Sequence, residues 1–347
     1  MVSKVSVIRV REDVHAAVRE AMQLAEWQRF VTPGADISLK VNLGWDLFLP
    51  GAVSAPWVVE GVIDVIHPHV GRIFLVESSQ VLVNVERSLR QTGLDEVCRK
   101  RGVQWVNMSK GPFTAVDCKG AVLGILEVPS ILLETELITL PVMKTHGRTI
   151  ITGAVKNQWG CLRELRHQYH PVVDKALADI NVLLRPRFAV MDGTVGLEGN
   201  GPKSGHPRVA DLVLASGDIV ALDATAARLM GFRPEKVAHL KACAERGLGT
   251  LEQQDIELAG DSQASLSPGF RPGKNNTVAV VETLLRRSAL RQLIFETPLL
   301  HPFCWAAKLW YFAWYYLLEG QKARDEILAH PFYGGQWRRP RKAGWGW

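Results

Sequence analysis

The stretch Leu137–Gly160, LITLPVMKTHGRTIITGAVKNQWG, decides how the rest of the chain is read. Leu137–Met143 is an apolar run of strand length that ends at Lys144. Thr145 to Gly147 then turn the chain, and Ile150–Trp159 carries a helical pattern entered near Thr149. A buried strand feeding a helix through a short turn is one step of an α/β layer fold with a largely parallel sheet. Open sheets of that kind bind ligands outside the carboxyl ends of their strands, which is where Lys144 and His146 stand.

The same alternation extends in both directions. Toward the N-terminus, Val5–Val10, Ile37–Leu43, Arg72–Glu77 and Val103–Asn107 read as strands, and Asp13–Phe30, Pro56–Ile66, Val85–Gln91 and Leu94–Arg101 as helices. Thr114–Cys118 and Ala121–Val128 read as a hairpin around Lys119 and Gly120. Toward the C-terminus, Asp174–Leu183, Ile219–Met230 and Glu235–Arg246 read as helices, with strands at Arg187–Met191 and Asp211–Ala215. The polar Gly260–Lys274 stretch, rich in Ser, Pro and Gly, reads as a linker or long loop. At 347 residues the expectation is two α/β units with largely parallel sheets, residues 1–143 and 144–290, with an interdomain cleft between them, and an aromatic, basic helical extension over 291–347.

Composition removes several function classes. The net charge is +6, but residues 291–347 hold eight bases against four acids, which leaves +2 for the first 290 residues. With no dense Lys/Arg stripe in the main body, nucleic acid is not an expected partner. The cysteines at 98, 118, 161, 243 and 304 form no CxxC pair, so neither a zinc ribbon, an iron–sulphur cluster run nor a disulfide framework is expected. Charged Arg9, Arg11, Glu12 and Asp13 interrupt the N-terminus before any secretory apolar region, and the expected compartment is the cytoplasm. GxxxxGK[ST], HExxH and GxSxG are absent, as is GxGxxG after the first strand.

Three clusters carry candidate chemistry. In the first, Lys144, Arg148 and Lys156 surround a turn and a helix start, an arrangement that suits a phosphate or carboxylate. Gly153 permits close approach to the backbone, and His146, its proton affinity lowered by a neighbouring lysine, suits acid or base work near neutral pH. As plain structure the same charges are a solvated face. In the second cluster five glycines between 193 and 205 read as a loop, with Asp192 at a strand end and Glu198 in the loop. With Asp218 and Asp223 these carboxylates offer oxygen ligands to a divalent metal such as magnesium; otherwise Asp192 is a turn former, Asp218 a helix cap and Asp223 a capping or buried partner. In the third, Lys40 lies within an apolar strand, which is costly unless its amine is paired or functional; an edge strand facing water is the ordinary explanation. His167 and His170 lie on a polar segment typical of surface histidines.

Taken together, Lys40-x-Asn42-Leu43, Lys144-Thr145-His146, Thr152-Gly153-Ala154-x-Lys156-Asn157-x-x-Gly160, Asp192-Gly193, Glu198-Gly199-x-Gly201-Pro202-x-x-Gly205 and Asp218-x-x-Ala221-Leu222-Asp223 closely resemble the domain of unknown function 362 family over roughly residues 36–260. That family is mostly uncharacterised and is often labelled iron–sulphur because some members carry a ferredoxin module, whose cysteine runs this chain lacks. At the level of pattern, His146-x5-Thr152-Gly153-x-x-Lys156-x-x-x-Gly160 is also similar to the lactate racemase family. Those enzymes have two α/β domains with the active site between them and a lysine-tethered nickel cofactor. The resemblance implies that Lys156 and His146 line a cleft faced by Lys40, Asn42 and Ser78; it brings no nickel claim.

Residues 303–318, FCWAAKLWYFAWYYLL, hold a single charge. As a helix they span about 24 Å, short of the hydrocarbon core, so the expectation is contact with a membrane surface or a homodimer interface, or packing on the body. Arg338, Arg339, Arg341 and Lys342 follow, suited to anionic headgroups at the inner membrane face. The sequence reading is therefore an enzyme acting on a small anionic metabolite in a redox-linked or isomerase-type reaction. Lys144, His146 and Lys156 are its catalytic candidates, Lys40, Asn42, Ser78, Thr152, Gly153, Asn157 and Gly201 its ligand-binding ones, and Asp192 and Glu198 its metal candidates, with the cofactor left open. The alternative is a non-catalytic ligand-binding or carrier protein docked on a membrane or membrane enzyme through the aromatic helix.

Overall fold

Side chains alternate along the strands of the computed structural model, which describes residues 2–80, 82–261, 266, 268–274, 277–288, 291–295, 297 and 300–337. The chain runs through β1 (Ser3–Arg9), α1 (Val14–Leu24), β2 (Ile37–Lys40), α2 (Pro56–Ile66), β3 (Ile73–Glu77), α3 (Val85–Thr92), α4 (Leu94–Arg101) and β4 (Gln104–Asn107). After the hairpin of β5 (Phe113–Asp117) and β6 (Ile125–Pro129) come α5 (Ile131–Glu134), β7 (Glu136–Thr139), β8 (Val142–His146) and β9 (Ile150–Ile151). Then follow α6 (Ala154–Asn157), α7 (Val173–Leu184), β10 (Phe188–Glu198), β11 (His206–Ser216), α8 (Ile219–Leu229), α9 (Ala238–Glu245) and β12 (Ile256–Gly260). The last helices are α10 (Thr277–Arg287), α11 (Arg291–Phe295), α12 (Leu300–Ala313) and α13 (Gly320–Leu328).

Among the described residues ten strands form one sheet along the path β12-β1-β11-β10-β7-β2-β3-β4, with β8 joined to β10 and β9 to β8. Pairing along the path is parallel except at β11, which is antiparallel to both β1 and β10. Ile37 and Leu39 of β2, Phe188 and Val190 of β10 and Val213 and Ala215 of β11 face one core with α1 and α2. Ala189, Met191, Leu212 and Leu214, the alternate residues, face a second core with α7, α8 and α9. The class is α/β with a large, mostly parallel sheet. Residues 1–143 and 144–290 both supply strands to that one sheet, so its carboxyl edge is shared by the two halves.

Three local expectations are corrected. Leu137–Met143 is two strands, because Pro141 has no N–H for a ladder; β7 stops at Thr139 and β8 starts at Val142. The helix expected from Ile150 begins only at Ala154, since Ile150 and Ile151 return as β9 against Thr145 and His146. The first half of the glycine-rich segment is strand: β10 runs on to Glu198, pairs with β11 through Glu198 opposite His206, and is buried along its whole length. Only residues 199–205 remain as the turn.

α12, α13 and the turns after them belong to the first core. Tyr311, Trp314, Tyr315, Ile327 and Tyr333 pack there with Trp45 and Leu47, and the Tyr333 hydroxyl donates to Asp211 (2.7 Å). No helix among the described residues is long and apolar enough to cross a membrane. Arg338, Arg339, Arg341 and Lys342 lie outside the described residues.

Candidate functional site

The carboxyl ends of β2, β3, β7 and β8 meet in a buried polar network. β2 is central, between β7 and β3, so Lys40 is no edge lysine; it is 0% exposed. Its amine donates to Glu77 (2.8 Å) at the end of β3 and to the Val41 carbonyl (2.8 Å). Glu77 also accepts from Leu43 N (3.2 Å) and Ser78 N (2.8 Å), which fills both carboxylate oxygens. A buried ion pair is tolerable when its remaining polar positions are satisfied in this way.

A second chain of bonds joins three of the sequence motifs. Lys144 donates to Asn42 Oδ1 and to the Ala52 carbonyl (2.9 Å each). Asn42 Nδ2 donates to Asn157 Oδ1 (3.1 Å), and Asn157 Nδ2 donates to Thr139 Oγ1 (2.9 Å) and the Lys40 carbonyl (3.1 Å). Burial, and then the charge of Lys156, pushes the Lys144 amine down to about 7. Ser78 Oγ donates to the Gly160 carbonyl (2.5 Å) and accepts from Arg166 Nη1 (3.1 Å). Thr152 Oγ1 donates to the Val142 carbonyl (3.3 Å), and Gly201 packs its backbone on the Thr145 carbonyl. Of the expected ligand-binding residues, Lys40, Asn42, Ser78, Thr152 and Asn157 thus spend polar groups on one another and on the backbone, and hold the strand ends in register.

Gly153 has φ 112°, and a Cβ there would lie 2.4 Å from Asp223 Oδ1. The group approaching this backbone is therefore internal. Asp223, on α8, accepts from Ala154 N (2.7 Å) and Val155 N (2.9 Å) and occupies the start of α6 that the sequence assigns to an anion. Asp218 caps α8 through Val220 N and Ala221 N (2.9 Å each).

The metal candidates are engaged separately. Asp192 accepts from Ala55 N (3.0 Å), Thr194 N (3.0 Å) and Thr194 Oγ1 (2.7 Å), and burial lifts it to about 6. Glu198 accepts from Arg271 N (2.9 Å) and Nε (2.8 Å). Among the described residues no group of three or more His, Cys, Asp and Glu side chains is placed to hold a metal ion.

Lys156 stands among further cations. Lys156, half-buried on α6, makes no hydrogen bond or ion pair with a described residue. Burial, then the charges of Arg166, Arg148 and Lys203, push it down to about 8. Lys203 is likewise pushed down to about 8 by burial; its amine lies 5.0 Å from the Trp45 ring centre and 5.8 Å from that of Tyr311. His146 Nδ1 accepts from Arg148 N (3.0 Å) and Thr149 N (3.4 Å). Burial, then Lys156, holds its proton affinity well below the usual range, so near neutral pH the ring is uncharged with its hydrogen assigned to Nε2. His170 pairs with Glu282 (3.0 Å) of α10 and stacks on Trp159; the His167 side chain lies outside the described residues.

The sequence reading missed His239, on α9. It is 0% exposed, neither ring nitrogen has a hydrogen-bond partner among the described residues, Asp174 stands 3.9 Å from Nδ1, and burial followed by Lys156 depresses it to about 3. A lone histidine in a helical pattern carries no signal of this. Arg166, next to His167 on the polar segment, and Lys203, within the glycine-rich stretch, are given no role in the sequence reading either.

Comparison with known proteins matches the profile of the domain of unknown function (DUF362) to residues 37–228, more than half the chain. The chain belongs to this family. A thylakoid-associated protein of Synechocystis sp. is 25% identical to this DUF362 member over 264 residues, 72% of this chain and 81% of its own. Among solved structures, the lactate racemase apoprotein of Thermoanaerobacterium thermosaccharolyticum aligns at 10% identity and TM-score 0.41, covering 70% of this chain and 56% of that one. A Thermotoga maritima protein aligns at 11% identity and TM-score 0.37, over 68% and 59%. The chain therefore spans little more than half the length of these two structures.

Proposed function

We propose that this DUF362 protein binds a small anionic molecule at the cation cluster around Lys156 and acts on it as an enzyme. The observation that carries the reading is Lys156 itself: a half-buried amine that no carboxylate among the described residues pairs with, set among Arg166, Lys203 and Arg148, the last of which reaches Glu282 (3.9 Å). Like charges gathered in low dielectric raise their mutual energy, and an incoming anion relieves it. The roles differ from those read in the sequence. His146, neutral with Nε2–H free to donate, suits a hydrogen bond to charge that develops on the substrate, whereas Lys156, depressed to about 8, is the group able to exchange a proton. Arg148, Arg166 and Lys203 then hold the anionic group. This supports a proton-transfer step of the isomerase type or one linked to redox chemistry.

The test is thermal unfolding in a panel of phosphate, sulfate and short mono- and dicarboxylates. At least one should raise the Tm of the wild type and leave Lys156→Met unmoved. No rise in any anion, or an equal rise in both proteins, contradicts the reading. Once a ligand is found, His146→Gln separates enzyme from carrier: an enzyme keeps binding and loses turnover. The Synechocystis relative is thylakoid-associated, which supports a peripheral place at the inner membrane face for this chain also.

A further inference from the structure

α12 and the helical turn after it, residues 314–318, are apolar on both sides but covered on only one. The inner side sends Tyr311, Trp314 and Tyr315 into the core; Tyr311 packs edge-on to Trp45 (5.0 Å between ring centres), and the Tyr315 hydroxyl donates to the Phe48 carbonyl (2.7 Å). The outer side presents Trp305 and Leu309, each 66% exposed and one turn apart, with Phe312 partly exposed on the same stripe. Tyr316, Leu317 and Leu318 continue the exposed apolar surface at the helix end. A contiguous aromatic and aliphatic surface of this kind marks an interaction site.

We propose that this outer face docks on the surface of an anionic lipid bilayer, with α12 lying in the plane of the interface. Three features select that occupant. Trp and Tyr at the rim of an aliphatic stripe match the headgroup boundary. At about 21 Å the 14-residue helix is too short to cross the hydrocarbon core and suits lying along it. On the helix itself Lys308 lies 6.0 Å from the Trp305 ring centre, while Glu319 at its end is paired with His206 (3.2 Å); in the sequence, residues 338–347 carry Arg338, Arg339, Arg341 and Lys342, two tryptophans and no acid. In a symmetric pair of chains the same face would bring Lys308 toward its own copy, whereas phosphatidylglycerol or phosphatidylserine headgroups neutralise it. The helix that meets the bilayer is also the one whose Tyr311 stands beside Lys203 in the cation cluster.

The experiment uses the full chain and sedimentation with vesicles of phosphatidylcholine alone or with roughly a third phosphatidylglycerol, at low and at about 0.5 M salt. The wild type should partition onto the anionic vesicles and be released by salt. The Trp305→Glu/Leu309→Glu variant, altered only at exposed positions, should keep its Tm and lose partitioning by about tenfold or more. Absence of wild-type binding to anionic vesicles overturns the proposal, as does equal binding by the variant. A concentration-dependent dimer that the variant disrupts, without vesicle binding, assigns the face to a second copy instead. None of these outcomes bears on whether small anions raise the Tm through Lys156, so the two readings fail separately.

Discussion

Lys40 and His239 are both fully buried polar side chains, and the structure treats them oppositely. Lys40 is matched by Glu77, so Lys40→Met leaves a carboxylate in the interior with only the N–H groups of Leu43 and Ser78. Its expected cost is about 3–5 kcal/mol in urea unfolding, with Lys40→Met/Glu77→Leu costing less than Lys40→Met alone. A double variant that is less stable than Lys40→Met would show that the pair does not act as a unit. His239 has no such partner among the described residues. His239→Leu should therefore hold or raise stability, by about 1–2 kcal/mol in urea unfolding. A large loss of stability would mean that the imidazole is satisfied in solution by a structural water. The sequence marks Lys40 as a lysine within an apolar strand but does not name Glu77 as its partner, and it gives no sign of His239, because the partner of a buried polar group is chosen by strands and helices far apart in the chain.

At the scale of the element, α6 is four residues long and owes its position to Asp223, 69 residues downstream of Ala154. Asp223→Ala leaves the Ala154 and Val155 N–H groups without acceptors and should cost about 1–3 kcal/mol. Gly153→Ala, whose Cβ would meet that carboxylate, should cost less in the Asp223→Ala background than in the wild type, though still something because of the positive φ. Equal costs in both backgrounds would separate the two residues. The strand and helix pattern was legible where periodicity was long and uninterrupted: Pro56–Ile66 and Leu94–Arg101 have the expected bounds. It failed at β8–β9 and at β10, where a tight reversal and glycines packed within a buried strand resemble, in one dimension, a helix start and a loop.

For the whole molecule, the α/β class and the mostly parallel sheet follow from the order of apolar runs; the single sheet shared by both halves depends on pairings between β7 and β10 that no local pattern encodes. The motif residues do converge at the sheet's carboxyl edge, but most of them hold one another, and the surplus of positive charge gathers around Lys156. That charge has a pH signature. Lys144 and Lys156, depressed to about 7 and about 8, bind fewer protons folded than unfolded, so the stability they contribute grows as pH rises from about 7 toward the ordinary lysine range. A bound anion favours the charged amine, which reverses the sign for affinity: binding should weaken as pH climbs through about 8, with proton uptake on binding. The most direct measurement is isothermal titration calorimetry of the anion that most raises the Tm, at pH values either side of 8 and in buffers of different ionisation heat, with wild type and Lys156→Met. The account requires proton uptake and weaker binding at the higher pH in the wild type, both lost in the variant; pH-independent binding, or the same profile in Lys156→Met, would contradict it.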